Sequence, residues 1–362
     1  MGWMRILASA AVGGAGGALF WLGGLPLPWI LGSALAVMVA GAVKPGSIVW
    51  PRWLGEAGIV VVAYLLGRSM TRQTAITIAH DLPWMILAAL LWVGVCLVVG
   101  RLFAKGARIG EGTAMLGCVP GGLTQMVVIA DHFKGTDPGA VAIIQTARLI
   151  IVLYTVPVLA TWIALSPDAA MQTAATATAP LSAASPSDMP AYAAWLLLPL
   201  VPAAAWLLRR WRLPAGEFIG PMLVVGGLSI AGCPWPALPG PLLAAAQVSI
   251  GLYIGNRVQL RMMWTNKRLG PLALLTACLL VAATAAAAWL LAQLTGGSVV
   301  TWFLALAPGG LGEVAVTALV VGADVSQVTA FQLSRLFIVL LAAPPILRLL
   351  LARRGAAESG PI

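Results

Sequence analysis

Stretches of about twenty apolar residues recur from one end of this 362-residue chain to the other, and that recurrence leaves little choice of fold. In hydrocarbon every backbone N–H and C=O must find a partner inside the protein, so a spanning segment is either a helix or a strand of a closed barrel. Barrel strands alternate apolar and polar residues, and no such alternation runs through these stretches. The composition agrees: 60% of residues are hydrophobic, 9% are charged, and the mean hydropathy is +0.97. The expected fold class is an all-α polytopic membrane protein whose principal partner is the lipid bilayer.

The net charge of +10 raises nucleic acid as a partner. The Lys and Arg residues, however, sit almost entirely in short segments between apolar stretches, as orientation in a bilayer requires, so no nucleic-acid partner is expected. Cys96, Cys118, Cys233 and Cys278 lie inside apolar stretches at unrelated spacings, which argues against disulfides and against a metal site. His80 and His132 are the only histidines, too few for metal or haem chemistry. There is no Walker loop, dinucleotide fingerprint or nucleophile elbow. The reading is of a chain with no cofactor, no metal and no catalytic constellation, and hence not an enzyme.

Compared with itself at an offset of 188 residues, the chain matches without a gap from Leu25 to Leu123. Pro26 falls on Pro214, Gly32 on Gly220, Pro51 on Pro239, Gly67 on Gly255, Pro83 on Pro271, and the Pro-Gly-Gly-Leu at 120–123 on that at 308–311. One residue then drops out, and at an offset of 187 Asp137 meets Asp324, Gln145 meets Gln332, Arg148 meets Arg335 and Pro157 meets Pro344. The matches concentrate in residues that are not interchangeable apolar filler, so the chain reads as two membrane repeats, 1–164 and 191–362. Between them, 165–190 is rich in Ala, Ser, Thr and Pro and lacks Lys and Arg, a flexible linker outside the bilayer. The basic residue and small residues of the N-terminal stretch resemble a signal peptide. Its counterpart at 191–208 makes it part of the fold.

Each repeat has six apolar elements, in the first near 3–23, 27–43, 53–67, 83–103, 113–130 and 139–163. If all six span, the positive charges divide almost evenly between the two sides. If the fifth is a re-entrant hairpin, each repeat has five spans and the repeats are inverted. Then 17 Lys and Arg fall on one side and only Arg68 and Arg72 on the other, as the positive-inside rule demands. The expectation is therefore two inverted-topology repeats, each of five transmembrane helices plus a Gly-rich re-entrant or broken helix, with both termini cytoplasmic. A full helix kinked or packed at its Pro-Gly-Gly is the other reading.

Broken segments paired across inverted repeats are a recurring way to build a transporter site. Gly121, Gly122, Thr124 and Gln125 in the first copy, and Gly309, Gly310 and Gly312 in the second, bring backbone N–H groups within reach of an anion. Glu313 stands where the first copy has Gln125, which makes it the candidate ion-coupling residue; the alternative is a carboxyl group in an aqueous vestibule. Gln145 with Arg148, and Gln332 with Arg335, share a helix face three residues apart. A cation at that depth costs about 2.5–3.5 kcal/mol and needs a partner. That partner is either an anionic substrate or the carbonyls of the hairpin itself. Asp137 before Pro138, and Asp324 three residues before Gln327, read as helix N-caps, and Arg52 with Glu56 as an interfacial pair.

With Pro-Gly-Gly-Leu-Thr-Gln and Pro-Gly-Gly-Leu-Gly-Glu in place, followed by Gln-Thr-Ala-Arg-Leu and Gln-Leu-Ser-Arg-Leu, the chain resembles the membrane AbrB family over nearly its whole length. That resemblance implies a duplicated-domain protein of the bacterial inner membrane, a family labelled both a regulator of gene expression and an ammonia monooxygenase. An oxygenase centre would want a histidine cluster that two scattered histidines do not supply. No soluble segment is long enough for a DNA-binding domain. The five-span repeat with a Gly-Gly-x-Gly hairpin is similar in architecture to sodium-coupled glutamate and citrate carriers. Gly309-Gly310-Leu311-Gly312 matches that hairpin in full, whereas the first copy has Thr124 at the last position. The function expected is secondary transport of a small organic anion coupled to H+ or Na+. A membrane-embedded metabolite sensor acting on gene expression indirectly, or an exporter of cationic or apolar compounds, are the alternatives. Homo-oligomerisation is left open.

Overall fold

A computed structural model describes residues 2–121, 123–132, 135–165, 196–211, 213, 215–233, 235–258 and 260–339. The expected linker lies almost wholly outside the described residues, as does everything after 339. Among the described residues there is no strand. The first half folds as α1 (Gly2–Leu22), α2 (Pro28–Val43), α3 (Arg52–Arg68), α4 (Arg72–Ala107), α5 (Glu111–Cys118), α6 (Leu123–His132) and α7 (Pro138–Ala164). The second half gives α8 (Leu200–Arg210), α9 (Gly216–Ile230), α10 (Gly240–Gly255), α11 (Leu260–Thr265), α12 (Leu269–Thr295), α13 (Val299–Leu306), α14 (Leu311–Val321) and α15 (Val325–Val339).

Helix α1 from Trp3, α4 from Leu82, α7 and α12 are long and apolar enough to cross a membrane. Helices α2, α9, α14 and α15 are apolar but shorter. Trp3, Trp21, Trp162, Trp206 and Trp211 are exposed at or near helix ends, where indole rings favour a membrane interface. Helix bounds recur at the sequence offset: α5 and α13 start and stop 188 residues apart, and α4 corresponds to α11 and α12 together. The expected fifth element, 113–130, is two helices in place of one.

Close glycine crossings set the packing. A Cβ on Gly32 would lie 2.2 Å from the Gly16 carbonyl oxygen, and one on Gly16 would lie 2.3 Å from that of Gly32, so α1 and α2 touch backbone to backbone. Helix α3 meets α9 at Gly67, whose Cβ would stand 2.7 Å from Val225 Cβ and 3.0 Å from the Met222 carbonyl oxygen. Helix α10 meets α2 in the same way. A Cβ on Gly255 would be 2.6 Å from the Ala34 carbonyl oxygen and 3.2 Å from Val37 Cβ. Met222 and Val225 are the positions 188 beyond Ala34 and Val37, so the two contacts are reciprocal.

Polar contacts fix which helix ends lie together. Arg5 donates to the Gly46 carbonyl at 3.4 Å, Arg209 at the end of α8 pairs with Glu56 near the start of α3, and Arg268 before α12 donates to the Gly106 carbonyl at the end of α4 at 3.1 Å. At the far end of α3, the Tyr64 hydroxyl donates to the Pro236 carbonyl beyond α9 at 2.7 Å. Helix α3 therefore runs in the same sense as α9, and α4 ends where α12 begins.

Candidate functional site

Proline breaks both fifth elements for one physical reason. The residue before a proline is pushed out of the helical region: Val119 before Pro120 takes φ −64°, ψ 130°, and Ala307 before Pro308 takes φ −54°, ψ 129°. Helices α5 and α13 stop there with their last carbonyls lacking helical partners, although those of Val119 and Ala307 each accept one N–H, from Gly121 and Gly309 at 2.8 Å. In a low-dielectric interior those carbonyls require donors.

The Gln and Arg pairs of the next helices supply them. Gln145 Nε2 donates to the Leu116 and Val119 carbonyls at 3.1 and 3.0 Å. Arg148 donates to those of Val119 and Gly121, both at 2.9 Å. In the second half Gln332 Nε2 donates to the carbonyls of Leu304 and Ala307 at 2.8 and 2.9 Å. Arg335 Nη1 donates to Leu306 and Ala307, and its Nη2 donates to the Gly309 carbonyl at 3.3 Å and to Gln332 Oε1. All four side chains are at least nine-tenths buried. Of the two partners the sequence left open for the arginines, hairpin carbonyls are the ones both arginines meet.

The same contacts reveal the path of the chain. The Asp137 N–H donates to Thr113 Oγ1 at 3.0 Å, so the start of α7 lies beside the start of α5. Gln145 and Arg148, two to three turns along α7, meet the end of α5. Helix α5 thus runs alongside α7 in one direction, and α6 must bring the chain back. In the second half the Asp324 N–H donates to Thr301 Oγ1 at 3.2 Å, giving α13, α14 and α15 the same arrangement. The chain turns at Pro120-Gly121 and at Pro308-Gly309-Gly310, with α5 starting near the start of α12 and α13 near its end. Asp137 Oδ1 accepts from the N–H groups of Gly139 and Ala140. Asp324 Oδ1 accepts from those of Ser326 and Gln327, and both aspartates are N-caps. Thr301 takes the Asp324 N–H that a full capping box would assign to Gln327.

Both turns line one cavity of about 330 Å³. From the first half come Pro120, Gly121, Gln145 and Arg148; from the second, residues 308–313, Gln332 and Arg335. Gly122 lies outside the described residues. Thr124 and Gln125 belong to the backbone of α6, and their side chains lie outside what is described.

The glycines differ in what they do. A Cβ on Gly121 would fall 2.0 Å from Met126 Cε, and one on Gly309 would fall 2.6 Å from Val314 Cγ2. Gly310 leaves room for Glu313, whose Oε2 accepts from the Gly310 N–H at 3.3 Å. Gly312 has nothing within 4 Å of its Cβ position, so it meets open space where the cavity lies. Glu313 is only 8% exposed and lines the same cavity.

Glu217, Tyr253 and Arg257 also line the cavity and were not singled out in the sequence. They stand at its more exposed side, where the Arg257 guanidinium lies 4.0 Å over the Tyr253 ring. Only the offset gives a sign of them: Gly216-Glu217 starts α9 where Pro28-Trp29 starts α2, a charge with no counterpart. Glu56, buried between Arg52 at 2.6 Å and Arg209, is a structural pair that also ties α3 to α8. Among the described residues no three His, Cys, Asp or Glu side chains come together in a form that would hold a metal ion.

The family described as "Transition state regulatory protein AbrB" matches residues 29–351. The chain is 26% identical over 363 residues to "Uncharacterized protein YhjN" of Bacillus subtilis (strain 168), covering 94% of this chain and 91% of that one. It is 29% identical over 324 residues to "Putative regulator AbrB" of Escherichia coli (strain K12), covering 90% of each. The matched stretch contains both Pro-Gly-Gly turns and both Gln–Arg pairs, and the chain belongs to the AbrB family.

Proposed function

We propose that this protein is a secondary transporter of a small organic anion in the bacterial inner membrane, built from two inverted repeats of five spans and one re-entrant hairpin each. The observation that carries the reading is the single cavity lined by both hairpin turns, both buried arginines and the buried Glu313. Broken helices meeting at mid-depth give a site that either side can reach when one repeat rocks against the other. The reciprocal contacts of Gly67 and Gly255, and the shared direction of α3 and α9, support the inversion.

The positive-inside rule orients the molecule. Arg5, Lys44, Arg52, Arg209, Arg257 and Arg268 cluster at one end and Arg68 and Arg72 lie toward the other, which makes the first end, with both termini, cytoplasmic. Glu217, Tyr253 and Arg257 then stand at a cytoplasmic mouth, and the conformation is inward-facing. The two guanidinium groups give the cavity its positive charge, the glycine backbone supplies N–H donors, and Glu313 is the residue at which H+ or Na+ couples.

The test is flux. Purified protein in sealed vesicles is screened against small carboxylates, amines and ions, first by thermal shift, since a ligand specific to the folded state stabilises by ~2.7 kcal/mol at a hundred times its dissociation constant. Hits are then tested for uptake with imposed H+ or Na+ gradients. Saturable binding of a carboxylate without flux would favour a membrane-embedded sensor, the reading that the name of the Escherichia coli relative supports. Stabilisation by amines or apolar compounds alone would favour an exporter.

A further inference from the structure

The two Gln–Arg pairs occupy equivalent places, yet their hydrogen-bonding capacity is spent differently. In the second half the Gln332 amide and both Nη atoms of Arg335 are fully engaged. Gln332 uses both Nε2 hydrogens on carbonyls and its Oε1 accepts from Arg335, while both Nη atoms of Arg335 are committed twice over. In the first half Gln145 also spends Nε2 on two carbonyls, which fixes the orientation of its amide. Here, though, Gln145 Oε1 and Arg148 Nε are buried with no partner among the described residues, and each Nη of Arg148 makes a single bond. A buried acceptor left open costs free energy until something fills it. Across the same cavity, Glu313 has one long bond from the Gly310 N–H.

The unfilled groups thus form a pattern: a guanidinium edge on Arg148, with acceptors on Gln145 Oε1 and Glu313. A plain carboxylate would answer the guanidinium alone. It would leave Gln145 Oε1 unpaired. Resting on the transporter reading above, we propose that the ligand is a small carboxylic acid carrying an N–H or O–H donor beside its carboxylate, an amino or hydroxy acid, held by Arg148 and Gln145 of the first half while Arg335 serves only to hold its turn. The cavity of about 330 Å³ lies at the small end of ligand sites. A site built to pair a donor discriminates against the analogue that lacks it.

The experiment titrates the purified full chain with matched acids of two to five carbons in three forms, unsubstituted, 2-hydroxy and 2-amino, together with the corresponding simple amines. At the best chain length a donor-bearing acid is expected to bind at least about tenfold tighter than its unsubstituted partner. In Gln145→Leu that ratio should fall to within about twofold. The ratio compares two ligands on one protein, so partial loss of folded protein does not move it. Unsubstituted acids binding as tightly as their 2-substituted partners would overturn this inference and leave the anion-transporter reading standing. An unchanged ratio in Gln145→Leu would overturn the assignment to the first half. Binding of amines with no acid at any length would overturn both readings.

Discussion

Arg335 and Arg148 occupy matching positions but are expected to fail differently when removed. Arg335→Met keeps an unbranched apolar stem and deletes donors to three backbone carbonyls, those of Leu306, Ala307 and Gly309. It also frees Gln332 Oε1. Charge-assisted bonds of this kind are worth about 2 kcal/mol each, against about 3 kcal/mol recovered by no longer holding a cation at depth, which leaves a net loss of about 3 kcal/mol. Arg148→Met deletes donors to two carbonyls, Val119 and Gly121, and one of these keeps Gln145. With the same recovery, the net loss is about 1 kcal/mol. Unfolding in mixed micelles, titrated with a denaturing detergent and followed by tryptophan fluorescence, measures both against the parent. Equal losses, or a larger loss for Arg148→Met, would refute the inference that the two pairs are differently engaged.

Gly312→Val should be nearly neutral in stability, because its Cβ meets open space, yet should weaken binding of any cavity ligand by at least about tenfold; thermal shift and titration of the same preparation check both halves of that statement. Gly32→Ala forces a Cβ to 2.2 Å from a backbone oxygen and should cost about 1–3 kcal/mol, whereas Gly41→Ala in the same helix meets nothing and should cost none, by the same detergent titration. Glu313→Gln should abolish the H+ or Na+ dependence of uptake in vesicles, and an unchanged dependence would remove Glu313 from the coupling role. Cysteine placed at Ser47 should react with an impermeant thiol reagent from the cytoplasmic side only, and at Ser298 from the opposite side only; the reverse result would invert the orientation.

The breaks were legible in the sequence because proline followed by glycine carries backbone information that leucine and alanine do not: Pro120 and Pro308, each before two glycines, end a helix, whereas Pro83 and Pro157, without them, lie inside one. Counting charges on the two sides pointed to the turn back, and the Thr113 and Thr301 bonds lay the starts of α5 and α13 beside the starts of α7 and α15. What the sequence left open was what Arg148 and Arg335 do, since an arginine facing a carbonyl and one facing a substrate have identical neighbours in the chain. The open Oε1 of Gln145 is still less visible, being a difference of side-chain orientation between two copies of the same Gln-x-x-Arg. Glu217, Tyr253 and Arg257 reach the cavity only through the crossing of α9 and α10 with the first half. Nor did the sequence single out the Gly16–Gly32 contact, because glycines in an apolar helix are too common for any pair to stand out.

The reciprocal contacts of Gly67 with Met222 and Val225, and of Gly255 with Ala34 and Val37, are those that two separate copies of a single half would make on associating about a two-fold axis. Each hairpin is moreover held by its own half's glutamine and arginine, so neither half borrows a carbonyl partner for its turn from the other. None of the residues named for the site falls in 165–190. A chain cut between 166 and 190 and produced as two polypeptides should reassemble in the membrane with its cavity intact, provided the second piece still inserts in the opposite sense to the first. On this view an ancestor of one half, able to insert in either direction, already held the means to form the whole.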